Sequence, residues 1–181
     1  MQYGDKWFIR TENYSFKYAI HGPGPYSDLQ KIIQSLTTFV LGHECIHDQD
    51  TTKIVYFIPW IDIDFDKEFR IFVYQNKITA ISAQHIYVIN KWLSNKTTQE
   101  IETIVGKIVN YFEENIKDKM SFMANYVMDL ALIGDEETPY FIEPNEFGAE
   151  YGSGSALFHW ITDYDDLHDF DTIQFRFTSR E

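Results

Sequence analysis

Asp129, Glu143 and Asn145 are the residues whose types and spacing point most directly to chemistry. Tyr126-Val-Met-Asp129-Leu-Ala-Leu132 is an apolar run with one acid in it, and Tyr140-Phe-Ile-Glu143-Pro-Asn145 is a second that ends in an acid and an amide. If the two are strands paired through the acidic turn Gly134-Asp-Glu-Glu137, Asp129 lies across from Glu143. Asn145 then shares the face of Glu143, because side chains alternate along a strand. Three hard oxygen donors converge, a set that suits Mg2+ sharing its shell with phosphate and water. Without a cation the carboxylates repel and one tends to take up a proton. The alternative is a pair of carboxylates turned to solvent at two strand ends.

Other residues supply basic partners for phosphate. Arg10 and Lys17 lie on the first two expected strands, and Arg70 sits in Glu68-Phe-Arg70-Ile-Phe-Val73. In a strand Glu68 and Arg70 face one side, and the simplest reading is a same-strand ion pair worth about 0–1 kcal/mol. No G-x-x-x-x-G-K-[ST] and no G-x-G-x-x-G precedes a helix, so neither a P-loop nor a Rossmann site is supported. His43-Glu-Cys45-Ile-His47 spells H-E-x-x-H, which binds zinc when it sits inside a continuous helix. Here it follows Gly42, where the preceding helix is expected to stop, and it runs into Asp48-Gln-Asp50-Thr, which reads as loop. No downstream helix offers a partner glutamate, and a polar helix end is the preferred reading.

The elements that must carry these residues are read from periodicity. Strands are expected from Trp7 to Thr11 and from Phe16 to Ile20, joined as a hairpin across Glu12-Asn13-Tyr14. His21-Gly-Pro-Gly-Pro25 is a loop. A helix follows, with Ser27 and Gln30 as a capping box, Leu29, Ile32, Ile33, Leu36, Phe39 and Val40 as its apolar face, and Gly42 as its stop. Strands are predicted from Lys53 to Trp60, Glu68 to Tyr74 and Ile78 to Gln84, the last two joined at Gln75-Asn-Lys77. A second long helix is predicted from Thr98 to Ile116, capped by Thr97 and Glu100. Two strands follow, from Ala124 to Ile133 and from Tyr140 to Glu143. Ser155 to Trp160 reads as a short helix, Asp163 to Asp171 as a solvated acidic tail, and Thr172 to Thr178 as a last strand. Hairpins dominate, with two long helices, which predicts an α+β fold of antiparallel sheets with those helices packed on them.

Composition narrows the function classes. In 181 residues, 28 acids against 15 bases leave a net charge of −13, a surface that repels phosphate backbones and argues against nucleic acid as a partner. Hydrophobic residues make up 44% and aromatic residues 17%, which fits a packed core rather than disorder. No apolar run is long enough to span a bilayer, so no membrane association is expected. The start, Met1-Gln-Tyr-Gly-Asp-Lys-Trp-Phe-Ile-Arg10, has no apolar segment of the secretory kind, and the lone Cys45 excludes an internal disulfide. Both features predict a cytoplasmic protein.

At this point four blocks, in order, resemble the ATP-grasp fold, and most closely the cell division cycle protein 123 family with its small bacterial and viral relatives. Phe8-Ile-Arg10 with Ser15-Phe-Lys17 is similar to the family's first basic strand pair. Ile58-Pro-Trp60-Ile-Asp62 followed by Glu68-Phe-Arg70 is similar to its adenine hinge and Glu-Phe-Arg strand. Asn76-Lys77 and Ile81-Ser82 resemble the hairpin beyond. Met128-Asp129, Ile142-Glu143-Pro-Asn145-Glu-Phe-Gly148 and Leu157-Phe-His-Trp160 resemble its Asp strand, its Asn-containing block and its Leu-Phe-x-Trp end.

The resemblance implies one minimal ATP-grasp domain over residues 1–181, with subdomains 1–58 and 59–181 and the nucleotide cleft between them. It implies ATP and Mg2+ as cofactors. Arg10 and Lys17 would hold the phosphates, and the hinge Pro59, Trp60 and Ile61 would meet adenine through the Pro59 carbonyl and the Ile61 N–H. Glu68 would accept from the ribose, Arg70 would face the γ-phosphate or an acyl-phosphate, and Asp129, Glu143 and Asn145 would hold the metal. The sequence also departs from the family. Phe16 and Tyr18 replace Pro and Asp around Lys17, Arg10 stands where eukaryotic members have Lys, Glu143 replaces Asp, and Glu146 replaces Pro. The chain begins almost at the first nucleotide-binding strand, so the N-terminal region that precedes it in relatives is expected to be absent or very short.

Two functions follow from the resemblance. The first is an ATP-dependent ligase that activates a carboxylate as an acyl-phosphate for attack by an amine or thiol, with Arg70 and Lys17 as catalytic cations and an acceptor the sequence does not identify. The alternative is a non-catalytic, ATP-dependent assembly factor acting on a protein partner, as the eukaryotic members do for a translation initiation factor.

Overall fold

The computed structural model describes residues 6–11, 15–39, 54–169 and 171–179. The H-E-x-x-H motif, Val40 and Gly42 lie outside them. The chain divides into two compact units, residues 1–62 and 63–181.

In the first unit, strand β1 (Trp7–Thr11) pairs antiparallel with β2 (Val55–Pro59), Trp7 opposite Pro59 and Thr11 opposite Val55. The expected hairpin partner of β1 does not form. Phe16–Tyr18 is a 3₁₀ turn, and Ser15 meets Arg10 only as an isolated bridge. The long-range pairing with β2 occupies the whole length of β1, while Phe16 drops into the core. Helix α1 (Leu29–Thr38) starts one residue later than predicted: Asp28, not Ser27, is the cap, its carboxylate accepting from Gln30 N–H at 2.7 Å. Of its apolar face, Ile32 is buried and Leu36 packs against the core, but Leu29 and Ile33 are exposed. Among the described residues the unit's hydrophobic core is small: Ile9, Phe16, Ala19, Tyr26, Ile32 and Phe39. The Tyr26 hydroxyl donates to Gly22 O (2.7 Å) and meets Ser35 Oγ (2.9 Å), so its burial leaves no polar group unsatisfied.

The second unit is a five-stranded sheet in the order β6-β5-β3-β4-β7. The strands are β3 (Glu68–Tyr74), β4 (Lys77–Ala83), β5 (Tyr126–Ile133), β6 (Thr138–Asn145) and β7 (Gln174–Arg176). All pair antiparallel except β7, which runs parallel to β4. Gln75 and Asn76, both with positive φ, make the tight β3–β4 turn, the geometry whose twist suits a two-residue hairpin. A short helix α2 (Lys91–Ser94) precedes α3 (Thr98–Tyr111), which has the predicted capping box: Glu100 N–H to Thr97 Oγ1, and Thr97 N–H to Glu100. The helix then widens into a π-helical stretch, Phe112–Ile116. Ser155 to Trp160 is turn rather than helix, since Ala156 has a φ of 50°, outside the right-handed helical region. The acidic tail is not simply solvated: it forms α4 (Tyr164–His168), with Leu167 fully buried.

Alternation divides the sheet. Phe69, Ile71 and Val73 with Tyr126, Met128, Leu130 and Leu132 join Ile104, Ile108, Phe112 and Ile116 in the main core. The opposite face carries Phe72, Ala80 and Val127, packed on Phe158 and Leu167. On that second face sit the polar residues of interest. The α+β class, the antiparallel sheets and the two longer helices are as the sequence predicts.

Candidate functional site

Register assembles the site. β3 aligns Arg70 with Asp129 on β5, and β5 aligns Asp129 with Glu143 on β6. Leu130 faces Phe141, so β6 carries one extra residue, a bulge at Ile142 that leaves Glu143 opposite Asp129. Asn145 faces Val127 and shares the Asp129 side of the sheet.

Arg70 is the centre of the arrangement. It does not form the simple same-strand pair with Glu68. Its Nε donates to Asp129 Oδ1 (2.9 Å) and its Nη2 to Asp129 Oδ2 (2.8 Å), a bidentate fork with side chains only 11% and 6% exposed. Its Nη1 donates to the carbonyls of Ser153 and Gly154, the latter at 3.3 Å. Four bonds thus engage a group with five N–H donors. Gly154 has a φ of +70°, a left-handed conformation that favours glycine and turns the loop so that its carbonyl meets the guanidinium. Asn145 Nδ2 donates to Asp129 Oδ2 at 3.3 Å.

Glu68 sits two residues before Arg70 on the same face, 20% exposed in its side chain. Burial foremost pushes its carboxyl up; His85 pulls it down, Asp129 raises it and Arg70 lowers it. His85 Nε2 lies 3.5 Å from Glu68 Oε2. Sequence reasoning passed over His85, although the β3–β4 register puts it just past the residue facing Glu68. It likewise passed over the carbonyls of Ser153 and Gly154, which no residue type announces, and over Arg176. Arg176 donates to Asp163 (2.8 and 3.0 Å) and Asp166 (2.7 Å) and lies over the Phe158 ring, which ties β7 to α4.

The remaining predicted residues belong to the first unit. Arg10, on β1, is half-buried and its Nε donates to Thr11 O at 3.3 Å. Lys17 is exposed on the 3₁₀ turn, its Nζ 5.4 Å from the Tyr18 ring centre. Pro59 ends β2; Trp60 N–H donates to Lys6 O (3.0 Å) and the Trp60 indole to Asp62 Oδ1 (2.7 Å). Ile61 follows directly, half-buried.

As to a metal, no group of three or more His, Cys, Asp or Glu among the described residues is arranged to hold one. The donor set that the sequence proposes contains an amide and needs a shared carboxylate. Both Asp129 oxygens already accept from Arg70, and Oδ2 also from Asn145, but Oδ1 has a second lone pair. With Glu143 and Asn145 beside it, the set remains chemically compatible with a hard cation.

The D123 family model matches residues 28–181. Comparison with curated proteins finds no match. The structure of Cdc123 from Schizosaccharomyces pombe is similar with a TM-score of 0.76 at 14% identity, covering 99% of this chain and 74% of that one. The C-terminally truncated Cdc123 from the same organism gives 0.73 at 13% identity with the same coverage. These identities speak for the fold, and the family model bears out the family resemblance read from the motif blocks.

Proposed function

Because this chain belongs to the D123 family, we propose that it is an ATP- and Mg2+-binding assembly factor that uses bound nucleotide to organise a surface for a protein partner. The observation that carries the choice over a ligase is the state of Arg70. A ligase needs that guanidinium aimed at a transferring phosphoryl group. Here it is buried, with four hydrogen bonds to its own chain, and turning it outward would leave Asp129 uncompensated. Arg70 therefore acts as a fastener for the site and not as a phosphate hand.

Nucleotide would be held by other residues. Arg10 and Lys17 match the phosphates in charge, and the Pro59 carbonyl and Ile61 N–H suit the adenine edge. Ionised Glu68 accepts from ribose hydroxyls. Asp129, Glu143 and Asn145 would hold Mg2+, which supplies charge neutralisation to the phosphates. Family membership is compatible with ATP binding and supports a protein partner. No helix among the described residues is long and apolar enough to cross a membrane.

The test combines thermal shift with ATP turnover. At 100 times its Kd a ligand stabilises by about 2.7 kcal/mol, roughly 5–10 °C for a chain of this size. The expected result is a shift of that order needing both ATP and Mg2+, without steady turnover. Glu143→Gln removes a ligand charge and little volume, so it should abolish most of the shift while the apo melting temperature stays put. Turnover that rises with an added amine or thiol acceptor would reinstate the ligase. No shift at millimolar Mg-ATP would overturn the nucleotide site.

A further inference from the structure

His85 is the titratable group beside the site that the reading above does not use, and its surroundings are specific. Gln84 N–H donates to Glu68 O at 2.9 Å, which pins the end of β4 to the start of β3 and brings His85 to the Glu68 side chain. The imidazole is held from two sides. Its Nε2 lies 3.5 Å from Glu68 Oε2, and its ring rests on Phe65 with centroids 4.6 Å apart and planes tilted by 52°. Phe65 comes from the 3₁₀ turn Phe65–Lys67 that leads into β3, so both supports are anchored in the same strand start. Phe65 is itself 68% exposed, so this contact is not part of the buried core.

We infer that His85 is a positioning residue for nucleotide recognition, holding the Glu68 carboxylate in the plane and orientation that accept the ribose 2′ and 3′ hydroxyls. The inference rests on the nucleotide reading of the site. A vicinal diol donates two O–H bonds, and a carboxylate accepts both only when ionised and held with both oxygens presented. Burial and nearby Asp129 oppose ionisation of Glu68; His85 is the strongest opposing influence, ahead of Arg70. His85 Nε2 lies 3.5 Å from Oε2, one of the two oxygens the diol requires.

The experiment measures Kd by calorimetry for Mg-ATP and for Mg-2′,3′-dideoxy-ATP, in the wild type, His85→Ala, His85→Gln, Glu68→Gln and the double variant His85→Ala with Glu68→Gln. Hydrogen bonds to a charged group contribute about 1.5–3 kcal/mol, so the wild type should prefer ATP over the dideoxy analogue by roughly tenfold or more. His85→Ala should lose most of that preference by weakening ATP alone, with the dideoxy affinity and the melting temperature unchanged. His85→Gln, which keeps a donor, should recover part of it, and His85→Ala should add nothing to Glu68→Gln. Equal weakening of both nucleotides, or an untouched preference, would overturn the role of His85 while leaving the nucleotide site standing. A wild type that binds neither nucleotide overturns the parent reading and this inference with it.

Discussion

Arg10 and Lys17 in the smaller unit and Arg70 in the larger one are all cations in or beside apolar strands, yet their settings differ. Arg70 lies on a central strand, covered on its face by the 153–154 loop and met by a bidentate carboxylate. Arg10 lies on a two-stranded sheet in the unit whose hydrophobic core, among the described residues, numbers six side chains, and Lys17 stands exposed on a single turn. The difference separates two uses of positive charge. A cation taken out of water must be saturated by its own chain and thereby becomes architecture. A cation left half in water can exchange hydration for an arriving anion at little expense to the fold.

The sharpest way to break this contrast is Asp129→Ala. It leaves a buried guanidinium without its carboxylate and should destabilise by about 3–5 kcal/mol, read by urea unfolding. A value under about 1 kcal/mol would mean that Arg70 is as surface-like as Lys17. The converse is Lys17→Ala. Stability should move within about 0.5 kcal/mol, while Mg-ATP affinity should fall by about 1.5–3 kcal/mol, tenfold or more. Equal binding by variant and wild type would remove Lys17 from the site.

Two smaller effects test how far the architecture of the larger unit extends outward. Thr97→Ala removes the side-chain half of the capping box, while the backbone N–H of residue 97 can still donate to Glu100, and should cost about 1 kcal/mol, seen as a lower denaturation midpoint with an unchanged m-value. Asp163→Asn weakens the Arg176 clasp, an effect of about 1 kcal/mol or less at neutral pH. The side-chain hydrogen bonds from Arg176 hold the Asp163 carboxyl below its ordinary value. Its contribution is therefore present above the unfolded value of about 4 and lost as pH falls through the lower folded value. The gap between wild type and variant should shrink in acid; a gap independent of pH would assign it to packing.

Much of the larger unit was legible because one residue type per position decides it. The Thr97-x-x-Glu100 box, the Asn76 turn and the alternation around Asp129 are local signals, and each formed as read. The smaller unit was less legible because its pairing is long-range. The strand tendency of Phe16 to Ile20 lost to β2, more than thirty residues on, which no local pattern encodes. The opposition of Glu143 to Asp129 was readable from turn spacing, but the Asp129–Arg70 fork was not, since it needs the β3–β5 register. Carbonyl partners such as Ser153 and Gly154 carry no signature of their own, and His85 becomes visible only once the hairpin register is fixed.

The widened end of the long helix has a consequence for how its hydrophobic positions are spaced. Ile104, Ile108, Phe112 and Ile116 recur every four residues and all reach the sheet. In an α-helix each such step drifts by about 40°, so a third would carry Ile116 roughly 120° away from Ile104. Over Phe112–Ile116 the wider pitch, roughly 4.4 residues per turn, reverses the drift by about 30°. The two pitches act together as a vernier: one gains phase, the other returns it. Removing one residue from the wide segment would restore a single pitch, and eleven α-helical residues would leave the last anchor about 20° from Ile104; the wide stretch therefore houses one extra residue without turning the helix end off the sheet.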